Sequence, residues 1–289
     1  MHLSLRRRRR LAPYLLLLPG IAWLVVFFAI PALLQAQLSL TTGTLETGFV
    51  FDWNFGVYAE AVSDNSEQLL RSFEYAAIAT IAAFVISFPL AYFIAFRAGR
   101  WKNLLLLLIV LPFFTSYLVR TIAWKTILVD NGFVADLFRS LGLIAQDGRL
   151  DATTFAVIAG ITYNFLPFMA LPLYVSLEKI DRRLIEAATD LYASRFAAFR
   201  KITLPLALPG IFAGTLLTFI PAVGDFVNAQ LLGTSNQYMI GNVIQSKFLV
   251  LRDYPEAAAL SFLLMTVILL AVFLYARVLG TRTLTEAAV

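Results

Sequence analysis

The segment Glu186–Pro205 reads EAATDLYASRFAAFRKITLP, and the stretches on either side of it are long and apolar enough to cross a membrane. This one carries Glu186, Asp190, Arg195, Arg200 and Lys201, and ionised side chains at that density have no place in hydrocarbon. Its apolar residues Ile185, Ala188, Tyr192, Phe196 and Phe199 recur at helical spacing. That spacing predicts a short helix lying at the membrane surface, one face apolar and the other charged.

Composition makes lipid the solvent for most of the rest. The 289 residues are 60% hydrophobic and 14% charged, where a soluble domain carries about 25% charged. The absence of cysteine excludes disulfides, thiolate nucleophiles and zinc–cysteine sites. The single histidine, His2, opens the chain, so histidine-based metal or acid–base chemistry is excluded too; no catalytic residue and no metal site are expected. The net charge of +5 fits a loop bias of Lys and Arg better than an affinity for nucleic acid.

Six apolar spans are expected, at about 11–34, 69–96, 104–129, 153–177, 206–232 and 257–279, each reaching the ~20 residues needed to cross the hydrocarbon. The arginine run Arg6–Arg10 precedes the first. That span is too long for a signal peptide and lacks an Ala-x-Ala cleavage pattern, so it reads as an uncleaved helix. Residues 36–68 read as an ordered external loop, 130–151 as an acidic loop, and 239–251 as a short helix on the outer surface. Most Lys and Arg fall at the two termini, near residue 100 and in residues 178–205, which places those segments and both termini in the cytoplasm. The domain plan is a basic N-terminus, 1–10, then a single transmembrane domain, 11–289, with residues 178–205 as a cytoplasmic loop.

Glu186, Ala187 and Ala188, followed by Ile202, Leu204 and Pro205, stand at the spacing of the "EAA" coupling loop of ABC-importer permeases, and the chain resembles that family. In the family a Gly follows the Glu-Ala-Ala after a three-residue gap; here it is Tyr192, a departure that bears on how the segment turns. The resemblance extends to Leu118–Trp124 (LVRTIAW), Phe165–Pro172 (FLPFMALP), Phe219–Gly233 (FIPAVGDFVNAQLLG) and Met239–Gly241 (MIG). These look like the spermidine/putrescine importer permeases, more closely the first of their two permease subunits. The resemblance implies an all-α membrane protein of the type I ABC-importer permease fold in the bacterial inner membrane, moving polyamines by alternating access. It implies two copies of an ATPase subunit that contact Glu186 and its neighbours, Asp190 included, a second homologous permease, and an external substrate-binding protein. The chain has no Gly-x-x-x-x-Gly-Lys-Ser/Thr phosphate cradle, so ATP and Mg are expected on the partner ATPase and no cofactor here. Importers for iron(III), thiosulfate and phosphonate share much of the pattern.

Charges inside spans mark candidate pathway residues. Asp225 lies nineteen residues after Leu206, about 28 Å along a continuous helix, in the outer part of the fifth span. Arg120 in the third span and Glu74 in the second fall at similar heights, so the three are expected to face one another. Arg120 and Asp225 read either as an ion pair that fixes helix packing or as parts of an outer gate. Tyr163 and Asn164 lie just before Pro167, which bends its helix. Tyr117, Trp124 and Tyr163 offer aromatic faces to an ammonium group, or pack helices as an interfacial belt. Gly210, Gly214 and Gly224 are expected to permit close helix approach. An ion-coupled secondary transporter would show an internal repeat and a midplane ionisable relay, and an embedded enzyme paired carboxylates; none of these is visible.

Overall fold

The computed structural model describes residues 16–277; the arginine run, the start of the first span and the end of the last lie outside them. The backbone divides into two compact units. One comprises the described residues up to Asp64 together with Ile244–Val267, the other Asn65–Val243 together with the described residues from Ile268 onward. Five helices are long and apolar enough to cross a membrane, or six if one sharply bent pair counts as a single span.

In the first unit, α1 (Leu16–Leu38) has none of its apolar window covered by the chain itself, so its apolar surface is left for lipid or another subunit. The expected loop after it is structured. Strands β1 (Thr41–Thr44) and β2 (Gly48–Phe51) form an antiparallel hairpin with Thr41 opposite Phe51. Gly43 has φ = 115° and a Cβ there would lie 2.0 Å from the Gly48 carbonyl oxygen, so only glycine fits. Helix α2 (Gly56–Phe96) then begins well before the expected second span, because its polar first turns are helical too; only Asn65 departs from helical dihedrals. This hairpin is the one β element in an otherwise helical chain among the described residues.

In the second unit the third span is broken. Helix α3 (Lys102–Val110) tightens into a 3₁₀ turn at Leu111–Phe114, and α4 (Tyr117–Ile127) leaves at 99° to that arm. Pro112 has no N–H to donate, and Thr115 and Ser116 are extended. The depth inferred for Arg120 from an unbroken helix therefore does not hold. Helix α5 (Phe133–Ser140) follows, inside what reads in the sequence as a loop. Its end is tied down by Arg139, which donates to the carbonyls of Asp130 and Gly148. Asp130 accepts from Arg149 (2.8 Å) and from the Leu150 N–H (3.2 Å). Desolvation works against its ionisation, yet these bonds hold the carboxyl below the usual range.

Helix α6 (Thr154–Glu178) is the most enclosed apolar helix, with 61% of its apolar window buried. Thr153 caps it by accepting from the Ala156 N–H. It packs on α8 (Arg195–Val223), which passes through a π-turn at Phe199–Thr203 without a break. The contact is possible because α8 presents glycines. A Cβ on Gly210 would sit 2.6 Å from the Pro172 carbonyl oxygen, and one on Gly214 2.8 Å from Met169 Sδ. Gly224 plays no such part, with nothing nearer than 4.0 Å; it ends the helix. The fifth span is also broken, since α9 (Val227–Leu232) starts afresh beyond Gly224–Phe226. Helices α10 (Ile240–Leu251) and α11 (Tyr254–Tyr275) complete the chain.

The segment between α6 and α8 is not one helix. α7 (Arg182–Asp190), capped by Asp181, closes in a paired C-terminal turn. The Ala193 N–H reaches the Ala188 carbonyl and the Tyr192 N–H the Thr189 carbonyl, both at 3.0 Å. Such a turn requires a left-handed residue, and Tyr192 supplies it with φ = 59°. The missing glycine thus keeps its conformation and loses its ease of adopting it. Left-handed backbone costs a non-glycine residue roughly 1–2 kcal/mol. Tyr192→Gly should therefore raise the thermal midpoint of the detergent-solubilised protein and the β-branched Tyr192→Val should lower it; equal midpoints would show that the turn stores no strain.

Candidate functional site

The two broken spans place their unwound ends beside α6. Tyr117, Arg120 and Thr121 share one face of α4, at spacings of three and four residues. Asn164 projects from α6, and Asp225 and Asn228 flank the start of α9. The Asp225 carboxylate is buried, 6% exposed. It accepts from the Tyr117 hydroxyl, from Asn228 Nδ2 (2.6 Å) and from the Asn228 N–H (2.9 Å), the last being a cap on α9. Asn164 Nδ2 donates to Thr121 Oγ1 and to Asn228 Oδ1, both at 3.2 Å. Asn164 is fully buried, and its Oδ1 is left without a partner.

Around this network stand aromatic rings. Tyr117 lies 6.2 Å from Phe165, and Trp124 meets Tyr163 edge-on at 5.4 Å. The break at Gly224–Phe226 is braced from α10. Asn242 Nδ2 donates to the Phe226 carbonyl (2.8 Å), and Gly241 packs so closely that a Cβ would fall 2.6 Å from the Gly224 carbonyl oxygen. Gly160 makes the equivalent room on α6, where a Cβ would lie 2.7 Å from Asn228 Oδ1.

Tyr117, Trp124, Tyr163, Asn164 and Asp225, singled out in the sequence, are thus gathered on α4, α6 and the break before α9. Two expectations fail. Glu74 is exposed on α2 and makes none of the hydrogen bonds of this cluster. Arg120 is not paired with Asp225: its Nε and Nη1 are buried without a hydrogen-bond partner, and its guanidinium lies over the rings of Phe113 (4.9 Å) and Tyr117 (5.6 Å). Asn228 and Thr121 carry no charge and do not stand out in the sequence; a second amide three residues after Asp225 in an apolar span is the signal they offer.

A second candidate surface is the segment around Glu186. Glu186, Ala187 and Asp190 are exposed and Ala188 half-buried, while Leu191 is 81%, Tyr192 98% and Phe196 70% exposed. Large apolar groups presented beside carboxylates form a surface suited to a protein partner. Its inner side is anchored. Ile185 packs on a core of Ala83, Ala91, Leu173 and Leu177, Phe199 meets Phe88 edge-on at 5.7 Å, and Arg182 donates to the Ala95 carbonyl at 2.9 Å. Ile202 and Leu204 are half-buried and Pro205 exposed, on the stretch that carries the segment into α8. At the same end Lys102 pairs with Glu178 at 2.5 Å, and that hydrogen bond holds the ammonium above the usual lysine range.

Residues 87–284 match the family profile described as binding-protein-dependent transport system inner membrane component. The spermidine/putrescine transport system permease protein PotB of Haemophilus influenzae is 38% identical over 257 residues, 89% of this chain and 90% of that protein. PotB of Escherichia coli K12 is also 38% identical, covering 89% of this chain and 94% of that one. The inner membrane ABC transporter permease protein YdcU of the same strain is 35% identical over 73% of this chain and 70% of its own length. Among solved structures, a chain of a bacterial ABC transporter involved in import of the acidic polysaccharide alginate shares the fold. It has a TM-score of 0.68 at 18% identity and covers 97% of this chain and 99% of that one.

The buried network supplies a direct expectation. Asn228 donates to Asp225 and Tyr117 and accepts from Asn164, so Asn228→Ala strands buried polar groups at a cost of about 1–3 kcal/mol. The thermal midpoint should fall clearly, whereas Thr126→Ala, on the exposed side of α4, should leave it unchanged. A silent Asn228→Ala would mean that the network does not hold the break.

Proposed function

The chain belongs to the family of binding-protein-dependent transport system inner membrane components, and on that premise we propose that it conducts polyamines as one half of the pore of an ATP-driven importer. It is a multi-pass inner-membrane protein. What supports polyamines as the cargo is the likeness, sustained along most of the chain, to permeases named for spermidine and putrescine. The Asp225 cluster suits that cargo chemically. A buried carboxylate, the open Asn164 acceptor and the faces of Tyr117, Tyr163 and Trp124 together offer an ammonium group charge, a hydrogen bond and cation–π contact.

The proposed assembly has six spans with both termini in the cytoplasm, a second permease, two ATPase subunits and an external binding protein. ATP and Mg act in the ATPase subunits. Those subunits grip the segment around Glu186, with Ala187 and Ala188 permitting close approach and Tyr192, Leu191 and Phe196 supplying apolar contact. Closure of the ATPase pair pulls this segment, and because α8 starts at Arg195 just beyond the Tyr192 turn and runs on to Val223, the pull reaches the Gly224–Phe226 break where Asp225 sits.

Two substitutions test the two ends of this path. In the assembled complex, Glu186→Ala should preserve assembly but abolish the stimulation of ATP hydrolysis by the loaded binding protein; full stimulation in that variant would remove the coupling role. In proteoliposomes, radiolabelled spermidine or putrescine should be taken up and iron(III) should not, with Asp225→Asn lowering uptake by about tenfold or more, the scale of one lost charge-assisted contact. Uptake of iron(III) in place of the amines, or undiminished amine uptake in Asp225→Asn, would overturn the substrate reading.

A further inference from the structure

Two charges of opposite sign share one cluster and do not meet. Asp225 is satisfied wholly by neutral donors, the Tyr117 hydroxyl and the side-chain and backbone N–H groups of Asn228. Arg120 has two buried donor nitrogens with no acceptor and rests on Phe113 and Tyr117. One side chain stands between them: Tyr117 gives its hydroxyl to the carboxylate and its ring face to the guanidinium. A partly buried guanidinium with empty donors is unfavourable unless another state of the protein fills them.

We propose that Arg120 is the internal counter-ion of Asp225, resting on Phe113 and Tyr117 in this conformation and turning onto the carboxylate in another, where it displaces a substrate ammonium. The proposal rests on the passage of a cation past Asp225. The backbone permits the movement. α4 starts just after the extended Thr115–Ser116 hinge and Asp225 lies in the unwound stretch before α9. The two can therefore approach by changing hinge dihedrals, without unwinding a helix. The chemistry calls for it as well. A buried carboxylate that binds a polycation must also release it, since conduction needs a site that a cation can leave. A guanidinium, planar and able to bond both carboxylate oxygens, competes well against the point charge of an ammonium. Arg120 is then a positioning residue for release, and it acts through Asp225.

The test uses the complete complex in proteoliposomes, with binding protein and labelled spermidine, and reads both uptake and substrate-free ATP hydrolysis. Arg120→Ala should lower uptake about tenfold, while Arg120→Lys, which keeps the charge, should retain most of it; coupled pairs commonly show effects of this size. Arg120→Ala and Asp225→Asn should each shift substrate-free hydrolysis, and the double variant should match Asp225→Asn alone. Equal and additive effects of Arg120→Ala in both backgrounds would overturn the pairing and leave Arg120 a packing residue, as would an unchanged rate in Arg120→Ala. Non-additive hydrolysis without spermidine uptake in any variant, wild type included, would keep the pair and discard the polyamine.

Discussion

Backbone that leaves the helix within an apolar span must find its hydrogen bonds inside the protein, because lipid offers none. The break at Gly224–Phe226 meets that constraint locally. Asp225 caps α9, Asn242 takes the Phe226 carbonyl, and Gly241 comes close enough to seal the Gly224 side. Asn242 is itself fixed by the Met239 N–H, and the next N–H, of Ile240, is held by Ser72 on α2 (2.7 Å). An interruption of one span is thus braced by two other elements. The same requirement explains why so many small residues sit here. The approach of Gly241 to the Gly224 carbonyl is backbone to backbone, which only the smallest residues allow.

The helix that ends at this break begins at the exposed surface around Glu186. α8 runs without interruption from Arg195 to Val223, through the π-turn at Phe199–Thr203. Its middle is locked to α6 through Gly210 and Gly214. Phe196 near its start and the Gly224–Phe226 break at its end are therefore joined by one continuous helix.

Much of this was legible in the sequence, and the rest failed for identifiable reasons. Hydropathy marked a chain of long apolar stretches, and among the described residues five helices, or six with the bent pair, are long and apolar enough to cross a membrane. It could not reveal that two of these stretches are broken. Pro112 and Gly224 were visible, yet proline and glycine inside apolar helices are often tolerated, and only the extended Thr115–Ser116 and the capping by Asp225 decide the matter. The amphipathic period across residues 185–199 was real but belonged to two helices, since Tyr192 occupies a backbone region that its side chain gives no reason to expect. Charge marks Glu74, which is exposed and outside the network's bonds, and not Asn228, which makes more of those bonds than any other residue. In a low-dielectric interior an amide that both donates and accepts organises a cluster better than a charge does.

Buried polar groups are almost always satisfied, and a chain that packs α6 against α8 this tightly had every opportunity to satisfy them. Yet an acceptor on Asn164 and donors on Arg120 remain empty, within a cluster whose other members are bonded to one another on all sides. A purely structural network would have closed these valences or replaced them with apolar groups, which is the less costly solution inside a bundle. One acceptor and one cation are instead left open in the same cluster, which is what the proposed passage of a mobile cation would call for.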